Sequence, residues 1–106
     1  MQVSNIKSFT NGWFIGNFEP TLFKTKDFEI AHHTYPQGYT APLHFHKEAT
    51  EYNYIICGKL KIKDLILSNG DIFVYSPGEV SEVEFLEETS LIIIKTPSVI
   101  GDKFLV

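Results

Sequence analysis

Residues 38–58 read GYTAPLHFHKEATEYNYIICG, and this stretch decides the fold and the chemistry. His44 and His46 are separated by one residue. On a strand, positions i and i+2 share a face, so both imidazoles project the same way and Phe45 points oppositely. Glu51 follows five residues later, at the start of a second strand-like run, Tyr52–Cys57. A short turn between the two strands brings its carboxylate beside the histidine pair. Two imidazoles and one carboxylate form a facial set that suits Fe(II) and also accepts Mn, Ni, Co or Zn, with positions left open for water or substrate. Taken alone, a His-x-His pair is more often surface decoration than a metal site, and the surrounding residues have to decide.

Outward from this stretch, turn signals recur at Asn11-Gly12, Pro36-Gln37-Gly38, Ser68-Asn69-Gly70 and Pro77-Gly78. Between them lie short runs rich in Ile, Val, Phe and Tyr, which favour a pleated surface. The expected strands are Trp13–Phe18, Asp27–Tyr35, Thr40–His46, Tyr52–Cys57, Lys59–Lys63, Leu65–Leu67, Asp71–Tyr75, Val80–Leu86 and Ser90–Lys95. Lys59-Leu60-Lys61-Ile62-Lys63 alternates cleanly and predicts one wet face and one buried face. A helical turn is conceivable only near Lys47–Thr50, and the tail from Pro97 is a loop or an outer strand. Many short strands at regular spacing predict an all-β sandwich or barrel.

The chain has 106 residues, the length of one domain spanning 1–106. A formal charge of −4 lacks the basic footprint of a nucleic-acid binder, and no basic amphipathic stretch suggests a membrane surface. Cys57 is alone, so no internal disulfide forms. The opening MQVSNIKSFT has no apolar core of a signal peptide, and no run approaches the length of a membrane span. A cytoplasmic protein is the expectation.

The spacing Gly38, His44, His46, Glu51, Gly58 reads G-x5-H-x-H-x4-E-x6-G and resembles the first motif of the cupin superfamily at every fixed position. By composition alone such a match arises in roughly 5 of 100,000 chains of this kind. The resemblance implies a cupin-type double-stranded β-helix, a jelly-roll barrel, with one divalent metal ion on His44, His46 and Glu51. It also implies pairing into a homodimer through a sheet face. Apolar residues on both faces of Ile72–Tyr75 and Leu91–Ile94 agree with that. Gly58 is read as closing a hairpin between Tyr52–Cys57 and Lys59–Lys63.

The second cupin motif is matched at Gly70, Asp71 and Gly78, with its proline displaced to Pro77. Its histidine, the usual fourth ligand, is replaced by Ser81. Parity places Ser81, Val83 and Phe85 on one face and Val80, Glu82 and Glu84 on the wetter one. Ser81 and Phe85 are therefore expected to line the pocket, and the metal to have three protein ligands. A degenerate cupin without metal is the competing reading. If Phe28 and Ile30 face the core, His32 lines the pocket as well, although a histidine bonded to backbone or at an interface is the commoner case. Glu79 ranks below it. Asn53 shares parity with Glu51 and either meets a bound water or orients the carboxylate. Cys57, before a glycine in an apolar strand, reads as a packing residue.

Three functions follow from the same pocket. The first is a metal-dependent oxygenase or isomerase of a small polar organic molecule. The second is a non-catalytic module binding a small ligand such as a sugar. The third is a metal-free sugar-modifying cupin using His32 or a tyrosine as acid and base. Fold and motif do not choose among them.

Overall fold

The computed structural model describes residues 1–106. Branched and aromatic runs form strands where turns isolate them, and the strands are shorter than their sequence limits wherever the backbone lacks a donor or must bend. β1 (Trp13–Ile15) ends at Gly16, whose N–H turns to Thr21 Oγ1 at 3.2 Å. β2 spans Glu29–Tyr35. The expected strand Thr40–His46 contracts to β3 (His44–Phe45), because Pro42 has no N–H to give to a ladder. Thr40 keeps only an isolated bridge to Glu84. β4 (Thr50–Cys57) starts two residues early and carries Glu51 within it. β5 (Lys59–Ile62) and β6 (Leu65–Ser68) are joined by a two-residue turn at Lys63-Asp64, with Lys63 at φ +53°. β7 is Ile72–Tyr75. The expected Val80–Leu86 strand contracts to β8 (Glu84–Phe85), while Ser81 bridges His44. β9 spans Thr89–Thr96 and β10 Phe104–Leu105.

All pairings are antiparallel. A five-stranded sheet has the order β1-β2-β9-β4-β7, a three-stranded sheet β6-β5-β8, and a two-stranded ribbon β10-β3. The two eight-residue strands β4 and β9 are neighbours inside the large sheet, where pairing on both sides stabilises them. Their inward residues Ile55, Leu91 and Ile93 meet Leu60 and Phe85 from the small sheet, Val83 from the segment before β8, and Ala31 from β2. Each large apolar side chain buried this way contributes about 1.5–3 kcal/mol. Leu60 is wholly buried while Lys59 and Lys61 are exposed, as the alternation predicted.

Gly58 does not close a hairpin. β4 pairs with β7 and β9, whereas β5 pairs with β6 and β8, so the chain changes sheets at Gly58. The residue has φ +126°, and a Cβ there would lie 2.6 Å from Thr89 Cα and 2.7 Å from the Glu88 carbonyl oxygen. Glycine is required for the corner and for the close approach together.

The tail forms a strand on the outside. β10 pairs with β3 in the register Phe104↔Phe45 and Leu105↔His44. The Phe45 and Phe104 rings stack at 5.6 Å, and Lys47 Nζ lies 4.2 Å from the Phe104 ring centre. On the other edge of β3, Gly78 N–H donates to the His46 carbonyl and Ser81 N–H to the His44 carbonyl, both at 2.7 Å. The His-x-His segment is thereby held from both sides. No helix is long and apolar enough to cross a membrane.

Candidate metal centre and its cavity

β3 places His44 and His46, and β4 returns Glu51 to them. One ligand atom from each of the three residues lies within 4.8 Å of the others. His46 and Glu51 are 5% and 7% exposed, while His44 is half-buried. Asn53 Nδ2 donates to Glu51 Oε2 at 3.0 Å, fixing one carboxylate oxygen and leaving Oε1 turned to His46.

Both imidazoles are oriented through their far nitrogens. His44 Nδ1 donates to the Pro42 carbonyl at 3.1 Å, and His46 Nδ1 donates to the Asp102 carbonyl. Each ring therefore presents Nε2 with its lone pair, the arrangement in which metal-bound histidines are held. His46 Nε2 approaches Glu51 Oε1 at 3.3 Å, off the direction of a hydrogen bond, and is the one buried side-chain polar atom without a hydrogen-bond partner. A lone pair facing a carboxylate oxygen in a buried place is relieved by a cation between them, either a proton, which is how His46 lowers the Glu51 pKa, or a metal ion. The donor set of two imidazoles and a carboxylate fits a divalent one.

The electrostatics run in the same direction. Burial lowers the His44 pKa, only partly offset by its bond to Pro42, and this favours the neutral ligand form. Burial works to raise the Glu51 pKa, but His46, Asn53 and the Lys95 charge outweigh it and hold the carboxyl below its ordinary value.

The structure adds a residue that no spacing in the sequence marks. Asp102 is 8% exposed, and its carboxylate accepts the backbone N–H groups of Lys47, Glu48 and Ala49 at 2.9–3.2 Å. Its own carbonyl holds His46. One residue of the C-terminal tail thus fixes both the turn between β3 and β4 and the imidazole that precedes it.

In front of His44 and Glu51 lies a cavity of about 150 Å³. Asn53, Ser81 and Phe85 line it. His32 does not. Pairing of β2 with β9 sets Ala31 and His33 inward, next to Leu91 and Ile93, and turns His32 to the outer face of the sheet beside Ile92. The expectation for His32 is corrected by one residue. Ile30 suggested the wrong phase because this sheet is apolar on both faces. Glu79 also stays out, accepting the Ser76 N–H at 2.9 Å in the turn after β7. His33 Nε2 donates to the Asn11 carbonyl at 2.7 Å, so its Nδ1 accepts from the Tyr35 hydroxyl at 2.8 Å. Tyr35 stacks on Phe85 at 4.4 Å, and burial pushes its phenol up to about 12. Lys95 and Lys103, which the sequence did not single out, complete the lining.

No protein-family model and no curated protein matches the chain. Solved structures do. A conserved protein with a double-stranded β-helix domain from Klebsiella pneumoniae superposes with TM-score 0.67 at 20% identity, covering 77% of this chain and 72% of that one. The DMSP lyase DddQ from Ruegeria pomeroyi gives 0.74 at 17% identity over 89% of this chain, which spans 49% of the lyase. A Ralstonia eutropha protein with a cupin-like fold gives 0.64 at 15% identity, covering 89% and 60% of the two chains. The fold is the cupin-type double-stranded β-helix.

Proposed function

We propose that the protein holds one divalent metal ion (Fe, Mn, Ni, Co or Zn) on His44, His46 and Glu51 and receives a small molecule in the cavity before it. The observation that carries this is the buried, unpartnered Nε2 of His46 facing Glu51 Oε1. A metal there supplies Lewis acidity or an anchor for O₂ and substrate, the chemistry of an oxygenase or isomerase. Ser81 lines the cavity where the related motif has a histidine, so the ion keeps three protein ligands and its open positions face the ligand. The DMSP lyase on this fold supports a small-molecule enzyme. A non-catalytic binding module is the second reading. It is favoured by the closed His33–Tyr35 pair, which leaves neither group free as an acid or base.

The test is metal analysis of protein purified without a histidine tag, followed by titration of the metal-free form with cobalt(II). One ion per chain is expected, with affinity reduced at least about 100-fold in His46→Ala and Glu51→Gln. Wild-type binding that survives both substitutions removes the site. Turnover in a panel of small polar substrates then separates enzyme from binder. We also propose a homodimer through the outer face of the five-stranded sheet, supported by its run of exposed apolar residues.

A further inference from the structure

The cavity carries a charge pattern that the metal centre does not explain. Its apolar wall includes Phe73, Val83, Phe85 and Ile93, and its only carboxylate is Glu51. Two cationic side chains, Lys95 and Lys103, line the same space. Lys95 belongs to β9, paired directly with Glu51 of β4, and is partly buried. Its Nζ lies 4.7 Å from the Trp13 ring centre. It makes no ion pair within 4.0 Å and donates no hydrogen bond to the protein. Glu51 of β4 and Glu29 of β2 are both its register partners across the sheet, yet neither carboxylate comes within 4.0 Å, and the oxygens of Glu51 are turned to His46 and Asn53. Asp102 is committed to three backbone N–H groups. Glu29 lines a second cavity of about 230 Å³ that Lys95 and Lys103 also border.

Burial also lowers the Lys95 pKa, opposed by Glu51 and Glu29. A partly buried ammonium without a hydrogen-bonded partner is costly, and an anion is what relieves it. Once a divalent ion occupies the three ligands, the charge of Glu51 is directed to that ion. Lys95 is then left without a hydrogen-bonded anion, and the exposed Lys103 lines the same cavity. The volume suits a molecule about the size of benzene.

We infer that the ligand of this cavity is a small carboxylate, whose carboxyl group is held by Lys95 and Lys103 while the remainder lies against the apolar wall near His44 and Glu51. The inference deepens the metal reading and rests on it for where the rest of the ligand goes. Lys95 is a specificity-determining residue in this view, because a neutral amide of the same shape leaves its ammonium unpaired.

Two measurements keep the two readings apart. Cobalt(II) absorbance reports the metal centre in wild type, Lys95→Met and Lys103→Met. Calorimetry then measures glycolate, malonate and glutarate against glycolamide, malonamide and glutaramide, on cobalt-loaded and metal-free protein. Cobalt is expected to bind all three forms alike. Carboxylate affinity is expected to fall about tenfold or more in Lys95→Met and by a smaller factor in Lys103→Met, with the amides unaffected. Carboxylate affinities equal to wild type in both variants overturn the inference and leave the metal reading standing. Failure of cobalt to bind wild type overturns the metal reading. The metal-free titration then decides the inference alone, and carboxylate binding that is absent or independent of Lys95 sinks it. Should Lys95→Met not fold, the exposed Lys103→Met decides: unchanged carboxylate affinity is the negative result.

Discussion

Tyr35 shows how one side chain can be fixed by its neighbours. Its hydroxyl donates to His33 Nδ1 because His33 has already given its other N–H to the Asn11 carbonyl. Its ring stacks on both Phe85 and Tyr39, and the three rings form one cluster. Burial is the main cause of a pKa near 12, above the ordinary 10.0. A raised folded-state pKa stabilises the fold below about pH 10, and that contribution is lost as pH rises through 12. In a phenolate absorbance titration Tyr35 should ionise about two pH units later than an exposed tyrosine, and Tyr35→Phe should blunt the alkaline loss of stability. A Tyr35 midpoint near 10 would remove this account. At this scale the sequence shows some side chains and hides others for a physical reason. His44 and His46 are visible because the strand period fixes their shared direction, and Glu51 because one turn returns it. Lys95 and Asp102 reach the same place from more than 40 residues away, each as a single residue with no spacing to announce it.

At the scale of elements, the change of sheets after β4 depends on Gly58. Gly58→Ala forces an L side chain into φ +126° against the backbone of Glu88 and Thr89. A loss of about 2 kcal/mol or more is expected, read as a lower urea midpoint at unchanged slope. A loss under about 0.5 kcal/mol would show that the corner relaxes freely. The glycine is plain in the sequence, but its task is not. A hairpin and a crossover both want a flexible residue between two strands, and only long-range pairing tells them apart. The phase of β2 is hidden for a related cause. Ile30 pairs with Ile94 on the outer face, while the inward position next to it is the small Ala31, so the bulkier residue points away from the core. Pattern reading assumes that only one face is apolar.

For the whole molecule, that second apolar face is the main departure from an ordinary monomer surface. Tyr52 lies between Ile94 and Val74, and Tyr54 between Ile92 and Ile72, in one continuous register across β9, β4 and β7. Ile72 is 63% exposed, and the tyrosines are more than 40% exposed. The proposed homodimer would cover this patch. Light scattering at micromolar concentration should give twice the chain mass, falling to one chain in Ile72→Lys/Tyr54→Lys. A clean wild-type monomer contradicts the dimer. The architecture itself was legible, since short strands, frequent turns and the Gly-His-His-Glu-Gly spacing agree on one fold. The role of the tail was not, because β10 pairs with β3 across 59 positions of sequence. Through Asp102, the docking of the β10 ribbon and the placement of His46 become a single equilibrium. On the proposed metal reading, a cation at His46 tightens the docking of the terminal ribbon, and fraying of that ribbon releases the cation by the same free energy.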